Sequence, residues 1–173
     1  INGFLMTNIV LVGFKRSPFT IANKGLLAGV RPEDILSQVI NDLIKTTNIN
    51  KDDIEDIIAG CAYPEGAQGY NIAKIVSFMT GMPEHVGGMT INRWCGSSMQ
   101  AIHSAAGAIS MNAGKVFICC GIESMTSVPI NGLNYSPHPE LIKDQPNVYL
   151  SMGLTAENVA KKFNITRKEQ QEF

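Results

Sequence analysis

The sequence has 173 residues, of which 45% are hydrophobic and 17% are charged, and its formal net charge is −1. This composition is typical of a globular protein, and the length suffices for one domain of roughly 100–150 residues and part of another. Because the charge is near neutral and no Lys/Arg cluster is present, neither a nucleic-acid partner nor a polybasic membrane anchor is predicted. No apolar segment reaches the roughly 18–20 residues of a membrane span.

The cysteines and histidines do not form a metal-binding or disulfide pattern. The four cysteines, Cys61, Cys95, Cys119 and Cys120, contain no C-x-x-C pair, and the three histidines are scattered. The adjacent cysteines lie in an apolar run that is typical of a strand. We therefore predict a reducing compartment, no disulfide framework and no metal.

The first part of the chain alternates short apolar runs with segments of helical spacing. The predicted elements are a buried strand over 8–13, a helix over 32–46, a strand within 54–62, a helix over 71–80, a strand over 88–92, a helix over 96–112 and a strand over 115–121. Strands that alternate with helices predict an α/β fold with a mostly parallel sheet and helices on both of its faces.

The pattern changes after residue 127. Residues 129–146 contain several prolines and little periodicity, which predicts a loop-rich excursion or the edge of a second domain. Helical spacing returns over 151–163, and Thr166 with Glu169 predicts a capping box at the start of another helix. Because that helix has no stop signal before Phe173, we expect the sequence to be part of a longer protein.

Cys95 lies where a predicted strand ends and a predicted helix begins. Unpaired backbone N–H groups and the positive end of the helix dipole at such a position favour thiolate over thiol. Cys95 is therefore a candidate nucleophile, although the local sequence is equally compatible with a packed core cysteine. His103 is an unsuitable immediate base, because eight residues of helix separate the two by roughly 12 Å.

Residues 92–98, Asn-Arg-Trp-Cys-Gly-Ser-Ser, resemble the nucleophile motif of the thiolases, the acyl-CoA acetyltransferases that make or cleave 3-oxoacyl-CoA. Four further segments resemble family motifs in the same order, namely 16–19, 64–73, 121–125 and 151–160. One residue departs from the degradative branch of β-oxidation that the motif otherwise resembles. Gly96 follows the cysteine directly, as in the biosynthetic branch, so chain-length preference and reaction direction stay open.

The resemblance implies a thiolase-like layered α-β-α fold in which a loop domain is inserted into the first of two similar domains. We expect residues 1–127 to form the N-terminal α/β domain with the nucleophile, and residues 128–173 to begin the CoA-binding loop domain. The C-terminal domain is expected to be absent from this sequence, together with the family's G-H-P histidine and its C-x-G-G cysteine, neither of which occurs here. The resemblance also implies a homodimer or homotetramer.

The resemblance implies the roles of particular residues. Cys95 is expected to be catalytic, Ser151 and Met152 to bind substrate, and Asn92 and Arg93 to hold the turn and a subunit contact. Met152 has the alternative of being a core methionine. Coenzyme A is expected as a substrate, and no cofactor is expected.

The implied activity is thiolytic cleavage of 3-oxoacyl-CoA, or the reverse Claisen condensation, by an acyltransferase. The expected location is the cytoplasm for a bacterial protein, and the mitochondrion or peroxisome for a eukaryotic one. The 173 residues alone are predicted to be inactive, because the acid/base partners lie outside them. Two alternatives stay open: a ketoacyl-synthase-type condensing enzyme, and a non-catalytic thiolase-like protein that binds acyl-CoA or lipid.

Overall fold

The structure is a computed structural model that describes residues 8–173. The chain divides into two compact units, of which the first ends at Leu133 and the second spans Asn134–Phe173. The predicted division into domains after residue 127 stays a prediction.

The first unit contains a layered arrangement of helices and strands. Its elements in chain order are α1 (Pro32–Thr47), β1 (Asp56–Gly60), α2 (Ile72–Met79), β2 (Gly87–Ile91), α3 (Ser97–Ser110) and β3 (Phe117–Gly121), with short 3₁₀ turns at Lys51–Asp53 and Gly66–Gln68. The corresponding predicted helices and strands are confirmed to within two residues at each end.

The three strands form a parallel sheet in the order β2-β1-β3. Gly60 at the end of β1 is in register with Ile91 of β2 and with Gly121 of β3. The carboxyl ends of all three strands therefore lie at one edge of the sheet. In open parallel sheets this edge is where the segments that leave the strands meet and where ligands bind.

Helices cover both faces of the sheet. Because side chains alternate along a strand, Ile57 of β1 packs in one apolar cluster with α1 and α2, whereas Ile58 packs in another with Ala101 and Ala105 of α3. The predicted α/β fold, with a parallel sheet between helical layers, is confirmed.

Local sequence accounts for both ends of α1. Pro32 occupies the first turn, where the missing N–H is harmless, and the acidic Glu33 and Asp34 that follow complement the helix dipole. Asn48 adopts a left-handed conformation with φ of 52° and ends the helix.

Two strand glycines allow the first turn of α3 to lie close against the sheet. A Cβ atom added to Gly60 would lie 2.5 Å from the backbone nitrogen of Ser98, and one added to Gly121 would overlap the Ser98 hydroxyl. Both added atoms would lie closer to Ser98 than packed heavy atoms tolerate. The two glycines at the sheet edge therefore determine how closely the first turn of α3, which follows Cys95, approaches the sheet.

The predicted strand over 8–13 is wrong. These residues form no strand, and the side chain of Leu11 is 79% exposed. A strand requires a hydrogen-bonded neighbour, and within residues 8–173 this run has none. Its β-branched residues were suited to a partly buried sheet surface, but β propensity does not provide the partner.

The second unit is helical among the residues it comprises. Its elements are α4 (Pro139–Asp144), a 3₁₀ turn (Pro146–Tyr149), α5 (Met152–Phe163) and α6 (Arg167–Glu172). The helix predicted over 151–163 is confirmed, whereas the loop-rich prediction for 129–146 missed α4. His138 caps that helix, because its ring nitrogen accepts a hydrogen bond from the Leu141 N–H at 3.4 Å.

The capping box predicted at Thr166 is confirmed. The Thr166 hydroxyl accepts the Glu169 N–H at 3.3 Å, and the Glu169 carboxylate accepts the Thr166 N–H at 2.7 Å. The Thr166 hydroxyl also donates to the Glu169 carboxylate at 2.8 Å, and the two bonds that the charged carboxylate accepts from Thr166 lower the pKa of Glu169. None of the helices among residues 8–173 is long and apolar enough to cross a membrane.

Candidate active site

Cys95 lies on the short turn between β2 and α3, at the edge of the sheet where the strands end. Its side chain is exposed, so the alternative of a buried core cysteine is wrong. Trp94, directly before it, has a φ of 49°, in the left-handed region that bulky residues rarely occupy. The structure therefore places the candidate thiol on an outward-facing, tightly bent turn, while its role as a nucleophile stays a prediction.

Ser97 closes this turn from inside. Its buried hydroxyl accepts a hydrogen bond from the Arg93 N–H at 2.8 Å and donates one to the Trp94 carbonyl at 2.6 Å. The Gly96 N–H also donates to the Arg93 carbonyl at 3.0 Å. The Cys95 N–H has no acceptor within residues 8–173, so it remains able to donate to a bound oxygen atom.

The loop that leaves β1 supports the turn from the side. The Asn92 amide donates to the Ala62 carbonyl at 2.8 Å, and its side-chain oxygen accepts the Trp94 N–H at 2.8 Å. The rings of Tyr63 and Trp94 meet edge to face with centroids 5.4 Å apart. The expectation that Asn92 holds the turn is confirmed.

Glu123 and Gln68 hold the same loop against the segment that follows β3. The Glu123 carboxylate accepts the Ala62 N–H and the Gln68 side-chain amide, both at 2.7 Å. The fully buried Gln68 also donates to the Tyr63 carbonyl at 2.9 Å and accepts the Ser124 N–H. All donors and acceptors of this group are therefore matched across the sheet edge.

The sequence places Glu123 and Gln68 in two of the segments that resemble family motifs, 121–125 and 64–73, but it predicted Glu123 to join the loop domain to the sheet and gave Gln68 no role. The available signal was positional, because Glu123 directly follows a predicted strand and parallel strands end at a common edge. Nothing in the local pattern identified Gln68, 55 residues away along the chain, as its partner.

The other three cysteines are buried or half-buried, whereas Cys95 is exposed. Burial, with the nearby Glu123 carboxylate adding to it, raises the pKa of the Cys61 thiol to about 12. Burial likewise raises the pKa of Cys120 to about 12 and raises that of Cys119. At neutral pH these three thiols therefore keep their protons and are poor nucleophiles.

In the full-length protein at about pH 8, we expect iodoacetamide to alkylate Cys95 before the other three cysteines. A thiol with a pKa of about 12 is ionised to only about one part in 10⁴ at that pH, and Cys61 is also buried. Peptide mapping by mass spectrometry at successive times measures the order in which the four cysteines are alkylated. In denaturant all four thiols should react together, and equal labelling in the folded protein would contradict the expectation.

Ser151 and Met152 lie at the start of α5 in the second unit. The Ser151 hydroxyl caps the helix by accepting the Leu154 N–H at 3.3 Å. Met152 is 71% exposed and is not a core residue of this unit. Its side chain lines a shallow depression of about 370 Å³, together with Val159 and Ile165. Substrate binding by Ser151 and Met152 stays a prediction.

A metal centre is not formed by the part of the chain that the structure describes. Among those residues, no three His, Cys, Asp or Glu side chains come close enough together to hold a metal ion.

The parallel sheet between helical layers places the first unit among the layered α/β proteins. Residues 9–173 match the family model described as "Thiolase, N-terminal domain". The chain therefore belongs to the thiolase family.

Relatives and solved structures of similar sequence agree with this family. The chain is 39% identical over 168 residues to a 3-ketoacyl-CoA thiolase of Bacillus subtilis, covering 97% of this chain and 43% of that protein. It is 38% identical over 170 residues to the corresponding protein of Aeromonas salmonicida, with the same two shares covered. The chain thus spans less than half the length of these curated relatives.

Among solved structures, the acetyl-CoA acetyltransferase of Bacillus anthracis superposes with a TM-score of 0.82 at 29% identity, covering 98% of this chain and 45% of that one. The dimeric peroxisomal thiolase of Saccharomyces cerevisiae gives a TM-score of 0.82 at 29% identity, covering 95% and 44%.

Proposed function

We propose that the full-length protein is an acyltransferase that cleaves 3-oxoacyl-CoA, or runs the reverse Claisen condensation, through an acyl thioester on Cys95. The observation that carries the proposal is the exposed Cys95 on the turn between β2 and α3, in a chain of the thiolase family. The names of the relatives, 3-ketoacyl-CoA thiolase and acetyl-CoA acetyltransferase, support the reaction class.

In the cleavage direction the Cys95 thiolate attacks the 3-keto carbon of the substrate. A carbon–sulfur bond forms, and the bond between C2 and C3 breaks. Its electron pair leaves as the enolate of acetyl-CoA, which takes up a proton. The thiolate of a second CoA then attacks the acyl-cysteine thioester, which releases shortened acyl-CoA and restores Cys95.

The Cys95 N–H is the protein group that we assign to the oxygen of the tetrahedral intermediate. It is free of other acceptors within residues 8–173, and a single donor of this kind is worth about 3–4 kcal/mol in comparable sites. Ser151 and Met152 are proposed to contact the acyl-CoA. Coenzyme A enters as a substrate, and we propose no cofactor.

We propose a homo-oligomer, dimeric or tetrameric, because one solved neighbour is described as dimeric. The cysteine usage supports a reducing compartment. This is the cytoplasm if the protein is bacterial, as the two curated relatives named above are, and the mitochondrion or peroxisome if it is eukaryotic.

The test is to trap the acyl-enzyme. Brief incubation of the full-length protein with acetoacetyl-CoA, followed by acid quenching, should add one acetyl group to the peptide that carries Cys95. Prior incubation with the substrate should also protect Cys95 from iodoacetamide. The peptide that carries Cys61 serves as the internal control.

Three other results would contradict the proposal. An acetyl group on a different residue would assign another nucleophile. Condensation with malonyl-CoA and release of CO₂ would indicate a ketoacyl-synthase-type enzyme. Binding of acyl-CoA with no adduct and no turnover would indicate a non-catalytic acyl-CoA-binding protein.

A further inference from the structure

We propose that Glu123 and Asn92 are positioning residues that act through one another to fix the Cys95 turn. The inference rests on the proposed function of Cys95 and adds to it a hydrogen-bonded path from the end of β3, across the loop after β1, to the turn after β2. Neither side chain needs to touch the reacting atoms for this role.

The first step of the path anchors the loop after β1. The Glu123 carboxylate accepts the Ala62 N–H and the Gln68 amide, both at 2.7 Å. These two bonds use both oxygens of a charged acceptor, which makes them stronger than neutral hydrogen bonds. The Ala62 N–H, on the amino side of this residue, is thereby anchored to the segment that follows β3.

The second step passes from the carbonyl side of the same residue, Ala62, to the turn. The Ala62 carbonyl accepts the Asn92 amide at 2.8 Å, and the Asn92 oxygen accepts the Trp94 N–H at 2.8 Å. Asn92 therefore has one donor bond to the anchored loop and one acceptor bond to the residue before the cysteine. The edge-to-face contact of Tyr63 with Trp94 joins the same two segments a second time.

The left-handed Trp94 is the reason that this support matters. A bulky residue with a φ of 49° is strained, and such a conformation persists only where its surroundings over-determine it. Asn92 holds the Trp94 N–H and Ser97 holds its carbonyl, at 2.8 and 2.6 Å. Without the Asn92 bond the turn is free to relax, and the Cys95 sulfur and N–H move with it.

The experiment is a double-mutant cycle in the full-length protein with Asn92→Ala, Glu123→Gln and the double variant. Gln at position 123 has one acceptor oxygen where two donors now bind, so one bond is lost at nearly constant shape. We expect each single variant to lower the rate of Cys95 acetylation by about 10- to 100-fold, since a displacement of about 1 Å can cost 10²-fold. KM should stay near its original value while kcat falls.

The double variant is the decisive member of the cycle. If both residues act along one path, the double variant should be about as slow as the slower single variant. Rates that multiply would show two independent roles and would overturn the proposal, as would single variants with unchanged rates. Thr90→Val, which removes the hydrogen bond from the Thr90 hydroxyl on β2 to the Asn71 side chain at the start of α2, serves as the control and should keep its rate.

Alkylation of Cys95 by iodoacetamide separates this proposal from the proposed function. That reaction needs no acyl-CoA, so the same cycle can be run if the protein proves not to be a thiolase. Failure of acetylation in the unaltered protein contradicts the proposed function, whereas unchanged alkylation across the cycle contradicts the positioning path. The thermal midpoint of each variant is measured alongside, and Glu123→Gln carries the test if Asn92→Ala does not fold.

Discussion

Replacing Cys95 with alanine in the full-length protein is expected to lower kcat for cleavage of acetoacetyl-CoA by on the order of 10⁴- to 10⁶-fold. Without the thiolate no acyl thioester forms, and removal of the nucleophile from a covalent mechanism has effects of this size. Because Cys95 is exposed, the substitution should change the free energy of unfolding by no more than about 0.5 kcal/mol. Steady-state kinetics and thermal denaturation measure the two effects.

The control is Cys119→Ala, which removes a half-buried thiol of β3 without altering the turn. The Cys119 thiol donates only a weak bond to the Ala101 carbonyl at 3.5 Å, so kcat should be retained. Turnover by Cys95→Ala at a rate near that of the unaltered protein would refute the assignment of the nucleophile.

Replacing Gly60 with alanine is expected to lower the free energy of unfolding by about 3 kcal/mol, at the upper end of the range for overpacking. The added Cβ would meet backbone atoms of Ser97 and Ser98, including the Ser98 nitrogen at 2.5 Å. Backbone atoms cannot move aside by changing rotamer, so α3 must shift as a whole. Because α3 begins directly after the Cys95 turn, kcat should fall as well.

Gly107→Ala is the matched control for this substitution. Gly107 lies on α3, and nothing lies within 4 Å of the position a Cβ would occupy. The same chemical change should therefore stabilise the helix by roughly 0.5–1 kcal/mol. Urea denaturation of both variants measures the difference between their free energies of unfolding. A Gly60→Ala protein as stable as the original would show that Gly60 does not set how closely α3 approaches the sheet.

Apolar periodicity, together with the glycines and prolines that end helices and strands, was sufficient to predict most helices and strands of the first unit. The apolar spacing of α1 and the alternation of strands with helices follow from local physics, and the position of Cys95 at a strand–helix junction follows from both. The resemblance of residues 92–98 to a family motif then predicted that this cysteine is a nucleophile. Membership of the thiolase family is confirmed.

The support of the turn could not be predicted in the same way. The bonds of Glu123 to Ala62 and Gln68 join positions 61 and 55 residues apart, and no periodic pattern encodes which distant partner a carboxylate will find. The prediction of a strand over 8–13 was wrong for a different reason. These residues favour a strand locally, but a strand forms only where a neighbouring strand pairs with it.

Residues 8–13, which pair with no strand among residues 8–173, affect how the 173-residue chain behaves by itself. The segment Asn-Ile-Val-Leu-Val-Gly is uncharged, free of proline and rich in β-branched residues, and its Leu11 side chain is largely in water. These are the properties of sequences that associate as intermolecular cross-β structure. Expression of this chain in isolation therefore favours aggregation through its first described residues, and a charged substitution in this run is the direct remedy.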